Sequence, residues 1–361
     1  MKRNIFITGG LGFLGSYLMK EVLSDHDNII TLLVRDKNGL SGERRTELLF
    51  KNAYPRHFND VKKRIRVLKG DITEKRMGMS KSGQRPVIKN TDAIYHCAAL
   101  CNFAEPLYVL RKINVQGARN LLDLAFDCHR FGRLSHVHHI SSVAIAGTKR
   151  KVFYEDMLDE GQGFNNHYEQ SKFEAEKLVN EYRNRGMNIY TFRPSVIVGD
   201  SITGKTGNFD IFYQFLKILS LEIYNSIPVD GNSLINLVPV DKVAESVYLI
   251  ANREKQKNMT FNILNLKYVT IRFIIDVASE FFGFKKPRFT PSKRDLSKRT
   301  YFQKKLLNIY LPYCDYKTTF DTTNSDAILK NHNFLWPKPN RGFLETLFRY
   351  CAKIGYIKLE K

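Results

Sequence analysis

The sequence predicts an α/β fold: a doubly wound parallel sheet with a smaller, mostly C-terminal lobe. Strand-like and helix-like patterns alternate through residues 1–150, the signature of parallel strands joined by crossover helices. The chain opens on a short apolar run, Ile5-Phe6-Ile7, followed by Gly9, Gly12 and Gly15 at three-residue spacing. After about residue 199 the alternation gives way to loops and aromatic-rich segments. A chain of 361 residues, 43% hydrophobic and 12% aromatic, can bury a large core.

The first strand is expected at 4–8 and the first helix at 13–24. Glycines at the turn between them remove the Cβ atoms that would hold a phosphate away. The helix then aims free N–H groups and its positive dipole end at a pyrophosphate. This points to a dinucleotide site in a Rossmann-type sheet, with a spacing unlike the usual G-x-G-x-x-G. Thr8, Phe13 and Leu14 flank the glycines and join the candidate binding set. A tight turn alone would also explain three glycines.

The second strand, 28–34 (NIITLLV), ends at Arg35. An acidic residue here usually receives the ribose hydroxyls of NAD. An arginine suits a 2′-phosphate instead. With Arg44 or Arg45 as a second clamp, the reading is NADP(H) ahead of NAD(H), although Asp36 stands next door. A third strand is expected at 64–69 and is followed by Asp71 and Ile72. Asp71 suits either the adenine amino group or a plain turn. Residues 71–92 read mostly as loop. Further strands are expected at 93–97, 135–141, 188–193 and 259–264, and helices at 42–52, 106–130 and 170–185.

Tyr168 and Lys172 lie at i and i+4 in YEQSK, on one helix face. A nearby ammonium favours phenolate and would lower the Tyr168 pKa toward working pH. A tyrosine tuned this way can protonate a carbonyl oxygen as hydride reaches the carbon. An ordinary surface helix carries the same spacing. Ser141 and Ser142 end a strand about 26 residues upstream, where a hydroxyl can support the same oxygen. Asn114 interrupts a long helix pattern. Asn is a poor helix former, which suits a proton relay or a buried structural amide equally.

TGGLGFLG, GDI (70–72), HCAA (96–99), NVQG (114–117), ISSV (140–143), YEQSK and RPS (193–195) occur in this order over residues 1–265. The set resembles the extended short-chain dehydrogenase/reductases. LLVRD, YEQSKFEAEKLV, RPSVIVGDSITGKT and NLVPVDKVAESV resemble the thioester-reductase branch, which includes fatty acyl-CoA reductases. That resemblance implies NADPH-dependent reduction of an acyl thioester to an aldehyde, in some members on to the alcohol. It implies Ser142, Tyr168 and Lys172 as the catalytic set, which Asn114 joins on the proton-relay reading. Ser142 is preferred to Ser141 because it stands five residues before Gly147. It further implies that Ala98, Ala99, Pro194 and Val196 line the cofactor and that Lys172 holds its ribose. Cys97 departs from the small or polar residue usual at that place. No adenylation or carrier domain is seen, so an acyl carrier would act in trans.

By this reading residues 1–200, with 236–265 returning, form the NADP-binding unit. Residues 201–235 and 266–361 form the substrate lobe. The aromatic stretches 209–224 and 271–284 suit an acyl tunnel or simple core. A nucleotide-sugar epimerase or dehydratase, a hydroxysteroid-type dehydrogenase and a non-catalytic dinucleotide sensor are the competing readings. Arg35 opposes the first, and the intact Ser, Tyr and Lys oppose the last.

The net charge is +21, and residues 253–361 hold 22 Lys/Arg against 9 Asp/Glu. Lys285–Lys305 alone carries nine basic residues and one acidic. An acidic carrier protein, coenzyme A phosphates or an anionic membrane surface would be steered by such a field. A generally basic surface is the plain alternative. Nucleic acid is not expected, since no recognition motif accompanies the charge. No apolar run reaches membrane-spanning length. The five cysteines lack metal-type spacing and read as reduced in a cytoplasmic protein, peripheral to a membrane at most. A homodimer is compatible with the fold.

Overall fold

The computed structural model describes residues 2–53, 58–253, 255–290, 311–313 and 318–359. Seven parallel strands form its central sheet: β1 (Arg3–Thr8), β2 (Asn28–Val34), β3 (Ile65–Lys69), β4 (Ala93–His96), β5 (His136–Ile140), β6 (Ile189–Pro194) and β7 (Thr260–Ile263). The strand order is β7-β6-β5-β4-β1-β2-β3. The chain winds outward from β1 to β3, then crosses back to place β4 on the other side of β1. Thr8 is therefore in register with Leu33 on one side and His96 on the other. The switch of winding direction between β1 and β4 opens a crevice at the carboxyl ends of the strands, where such sheets bind ligands.

The sequence explains why these strands form. They are short, rich in Val, Ile, Phe and Tyr, and the central ones are buried on both faces. Helix α1 (Phe13–Ser24) buries Leu18, Met19, Val22 and Leu23. Helix α2 (Gly42–Ala53) and the short α3 (Phe58–Lys63) lie beside β3. Helix α4 (Lys81–Asn90) corrects the expected loop over 71–92. Its sequence is polar and contains Gly83 and Pro86, and only Gln84 and Val87 are buried, so the helical apolar period is nearly absent. Its start is set by Ser80, whose hydroxyl accepts from the Gly83 N–H.

The expected helix 106–130 is three pieces. Helix α5 (Leu107–Leu110) leads into a wider π-turn over Arg111–Gln116, then α6 (Gly117–Phe131). Helix α7 (His167–Asn184) begins three residues earlier than expected, because Asn166 caps it. Helices α8 (Ile211–Ser220), α9 (Val240–Arg253), α10 (Ile271–Phe282), α11 (Thr323–Asn331) and α12 (Arg341–Lys353) follow.

A second apolar cluster unites α8, α10 and α12 through Phe212, Leu216, Ile275, Phe282, Leu347 and Phe348. The aromatic stretches at 209–224 and 271–284 thus pack as core. Leu329 and Phe334 instead join the core beneath the main sheet, with Trp336 against it. Helix α11, which no apolar period marks in the sequence, packs on α9 and β7. Among the described residues no helix is long and apolar enough to cross a membrane. Cys97, Cys101, Cys128 and Cys351 are free thiols. Cys314 and most of the basic run 285–305 lie outside the described residues.

Candidate active site

The glycine turn after β1 is built as a cradle. Gly9 takes φ +73°, and a Cβ there would collide with the backbone of Cys97 and Ala98. A Cβ on Gly15 would collide with the Gly9 carbonyl oxygen and stand 2.9 Å from Gly10 Cα. The Gly12 N–H donates to the Gly9 oxygen at 2.9 Å, and no side chain caps the start of α1. The first-turn N–H groups therefore face the crevice, which fits a dinucleotide pyrophosphate. Thr8 Oγ1 is 2.7 Å from His96 Nδ1, tying β1 to β4 at the rim. Burial pulls His96 down to about 3, and the Lys172 charge adds to this. The ring is therefore neutral. Phe13 meets Tyr17 edge-on and lies beneath Gly207. Leu14 packs against the sheet core.

Arg35, at the end of β2, has a side chain 56% exposed and reaches Asp71 at 3.4 Å. Arg45 Nη1 donates to the Arg35 carbonyl at 2.6 Å. Arg44 instead pairs with Glu47 at 2.7 Å. Asp36 is occupied: it accepts from the Gly42 N–H at 2.9 Å and pairs with Lys69 at 2.7 Å. Asp71 feels burial, which raises its pKa. Hydrogen bonds from the Thr73 N–H and hydroxyl and the Arg35 charge outweigh it, leaving a carboxylate below the ordinary range. Ile72 packs on Gly117, where a Cβ would crowd it at 2.7 Å. Ala98 and Ala99 follow β4, Pro194 ends β6, and Val196 pairs with Leu237 beyond it.

Ser142, Tyr168 and Lys172 meet beyond the end of β5. Ser142 lies close enough to the Tyr168 phenol to favour its ionised form, and it accepts from the Ala144 N–H at 3.2 Å. Lys172, 3% exposed, donates to the Ile140 carbonyl at 2.7 Å. Burial pulls its ammonium down to about 8, opposed by the Glu176 charge. Burial pushes the Tyr168 phenol well above its ordinary 10.0, Cys101 adds to this, and Ser142 works against it. The expected lowering by Lys172 is thus reversed: desolvation dominates, Cys101 and Asp210 add to it, and Tyr168 is held as the protonated phenol.

Asn114 sits in the π-turn, where its amide is turned inward. Oδ1 accepts from the Leu100 N–H at 2.7 Å, and Nδ2 donates to the Leu100 carbonyl at 3.0 Å and to Ser171 Oγ at 2.9 Å. It anchors the loop after β4 to α7. Ser141 does not face Tyr168. It donates to Glu176 Oε2 at 2.6 Å, and Glu176 Oε1 accepts from Arg193 Nε at 2.9 Å.

Sequence reasoning missed Glu176, Cys101, Phe103, Asp210 and Tyr313. Glu176 carried a signal: a carboxylate at i+4 from Lys172, on the face that buries Ala175 and Val179. The other four reach the site only through tertiary packing. Cys101 lies within electrostatic reach of Tyr168 and Asp210, and burial together with Asp210 holds its thiol well above the ordinary 9.0. The rings of Phe103 and Tyr168 stack at 5.3 Å.

A parallel sheet with this switch point, this glycine cradle and a Ser-Tyr-Lys group defines an extended short-chain dehydrogenase/reductase, a class of NAD(P)-dependent oxidoreductases. Residues 7–247 match the NAD-binding family described as male sterility protein. The chain belongs to that family and to its thioester-reductase branch. A linear gramicidin synthase chain of Brevibacillus parabrevis is 28% identical over 72% of this chain and 5% of its own length. The L-2-aminoadipate reductase large subunit of Candida glabrata is 26% identical over 68% of this chain and 19% of its own length. The chain therefore spans a small part of these relatives. Among solved structures, the terminal R domain from the myxalamid PKS-NRPS pathway matches with TM-score 0.85 and 27% identity, over 100% of this chain and 93% of that one. UDP-glucuronic acid 4-epimerase of Bacillus cereus matches over 97% of each chain with TM-score 0.68 at 17% identity, which speaks to the fold alone.

Proposed function

We propose that this protein is an NADPH-dependent reductase of acyl thioesters, releasing an aldehyde and a free thiol. The observation that carries the reading is the meeting of Ser142 and the buried, protonated Tyr168 beside the cradle of Gly9, Gly12 and Gly15. When bound, the dinucleotide supplies the hydride. Ser142 and the Tyr168 hydroxyl hold the thioester carbonyl oxygen. Tyr168 donates its proton to that oxygen as negative charge develops, a contribution of about 10²–10⁴-fold. The resulting hemithioacetal loses its thiol and leaves the aldehyde. Lys172 holds the ribose and stabilises the tyrosinate that remains. Thr8, Phe13, Leu14, Asp71, Ile72, Ala98, Ala99, Pro194 and Val196 line the dinucleotide.

The preference for NADPH rests on the arginines. Asp36, the acid that would receive ribose hydroxyls, is engaged by Lys69 and Gly42. Arg35 and Arg45 stand together at the end of β2. The relatives that include peptide synthetases and an aminoadipate reductase support a carrier-bound acyl group as substrate. Reduction stops at the aldehyde or continues to the alcohol according to whether the aldehyde rebinds.

The test is NADPH absorbance with a panel of acyl-CoA and acyl-carrier thioesters, wild type beside Tyr168→Phe. Oxidation with stoichiometric thiol release, abolished in the variant, is the expected result. No oxidation with any thioester, together with turnover of a nucleotide sugar on bound NAD, would overturn the proposal.

A further inference from the structure

Three rings from distant parts of the chain form one stack at the site. Phe103 lies against Tyr168 at 5.3 Å with 29° between planes, and against Tyr313 at 4.9 Å with 32°. Phe103 belongs to the loop that Asn114 anchors through Leu100, three residues earlier. Tyr313 is the one of the three that comes from the C-terminal third.

The hydroxyl of Tyr313 is fixed as firmly as its ring. It donates to Glu169 Oε1 at 2.5 Å and accepts from Asn166 Nδ2 at 2.5 Å. Asn166 and Glu169 are the cap and third residue of α7. Asn166 Oδ1 accepts from the Glu169 N–H at 3.0 Å, and Glu169 Oε2 accepts from the Asn165 N–H at 2.7 Å. This is a reciprocal cap of the capping-box kind, and the C-terminal tyrosine is plugged into it. Glu169 is fully buried and immediately follows Tyr168, so whatever moves this cap moves the catalytic phenol.

Resting on the thioester-reductase reading, we propose that Tyr313 is a positioning residue for Tyr168. It presses Phe103 onto the phenol, locks the first turn of the catalytic helix, and keeps water off the proton donor. The C-terminal segment thus completes the acid of a site whose acid, ammonium and serine all lie before residue 173. Tyr313 acts through Phe103 on one side and through Glu169 and Asn166 on the other.

The inference gives a readout that a purely structural role would not move. Burial is the first cause of the high Tyr168 pKa, and the rings of Phe103 and Tyr313 supply part of that burial. The charged or titratable groups facing the phenol are Cys101 from the β4 loop and Asp210 before α8, with Lys172 one turn along its own helix. None of these is altered by replacing Tyr313. Replacing Tyr313 also removes the hydrogen bond that lowers the Glu169 pKa; Tyr313→Phe loses that bond but keeps the ring, so the difference between the two variants isolates the lowering of the Tyr168 pKa by hydration.

The experiment compares wild type, Tyr313→Phe and Tyr313→Ala in the full chain. It measures kcat and KM for a thioester substrate from pH 6 to about 12, a range that reaches a phenol held above 10.0, and NADPH binding by fluorescence. For Tyr313→Ala, kcat is expected to fall about tenfold, from loss of ring packing and a bond to a charged group. The alkaline limb of kcat should move down by about one pH unit, with NADPH affinity unchanged. Tyr313→Phe keeps the ring and should restore the position of the limb while recovering kcat only in part. Unchanged kcat and an unmoved limb in Tyr313→Ala would overturn the inference. So would an equal loss of NADPH affinity, since that marks general unfolding. A wild type that binds NADPH but turns over no thioester defeats the functional reading instead. In that case the Tyr168 ionisation is followed by ultraviolet difference titration, where Tyr313→Ala must still lower it and an unshifted titration overturns the inference.

Discussion

At the scale of single residues, the cradle leaves no room for a methyl group. Gly15 is packed so tightly on the Gly9 carbonyl that Gly15→Ala must push α1 away from the turn. The expected outcome is loss of dinucleotide binding, by tenfold or more, in a chain that still folds. Fluorescence titration with NADPH checks it. Arg35 tests the choice between cofactors. Its guanidinium is exposed and weakly held by Asp71 at 3.4 Å, so it is available to a 2′-phosphate. Arg35→Ala is expected to weaken NADPH about 10- to 100-fold, the equivalent of a charge-assisted bond of ~1.5–3 kcal/mol. NADH binding should change little. An equal loss for both nucleotides would refute the assignment.

At the scale of elements, one buried ion pair holds α7 to the sheet. Glu176 and Arg193 are 1% and 2% exposed. Arg193 also donates to the carbonyls of Glu155 and Met157 at 3.2 and 2.7 Å, and Glu176 takes the Ser141 hydroxyl. Removing one partner strands a charge, so Glu176→Ala should destabilise the fold by about 3–5 kcal/mol, read by urea denaturation. A change below ~1 kcal/mol would show that the pair contributes little. This pair also marks how far the sequence could be read. The seven sheet strands, α1 and the i, i+4 pairing of Tyr168 with Lys172 were legible, because periodicity and glycine spacing are local. Helix α4 was not, since Pro86, Gly83 and a polar face hide its period. The π-turn was not, because one extra residue per turn leaves no mark except the misplaced Asn114. Cys101, Phe103, Asp210 and Tyr313 reach the site by packing between segments far apart in sequence, which no window along the chain can contain.

At the scale of the whole molecule, acid should unfold this protein early. Burial holds His138 and His139 well below 6.5 and His96 at about 3. Neither ring nitrogen of His139 has a hydrogen-bond partner among the described residues. These rings stay neutral in the fold but take up protons near 6.5 once unfolded. Their contribution to stability is complete above that pH and is lost as pH falls. Glu155 has the opposite sign: burial raises it to about 7, so its contribution is lost as pH rises from 4.5 to 7. His136 is held low as well, and Glu21, Glu169 and Asp210 are raised like Glu155. The four histidines outweigh the carboxyls between pH 5 and 6.5, because an unfolded histidine takes up its proton inside that window and an unfolded carboxylate below it. The melting temperature should therefore fall across that window, and His138→Phe should flatten part of the slope. A melting temperature that rises toward pH 5 would contradict this balance.

Glu155 has a further consequence. Its carboxylate accepts from the Asn262 N–H on β7 at 2.8 Å and from the Asn324 and Ser325 N–H groups of α11 at 2.6 and 3.4 Å. The edge of the sheet is thus clasped by residues 169 positions apart in the chain. A ribosome adding about 5–20 residues per second needs roughly ten to thirty seconds to span that interval. During synthesis the nascent sheet waits with its last strand unfastened, and the fold closes as a late event, when the segment that supplies α11 emerges.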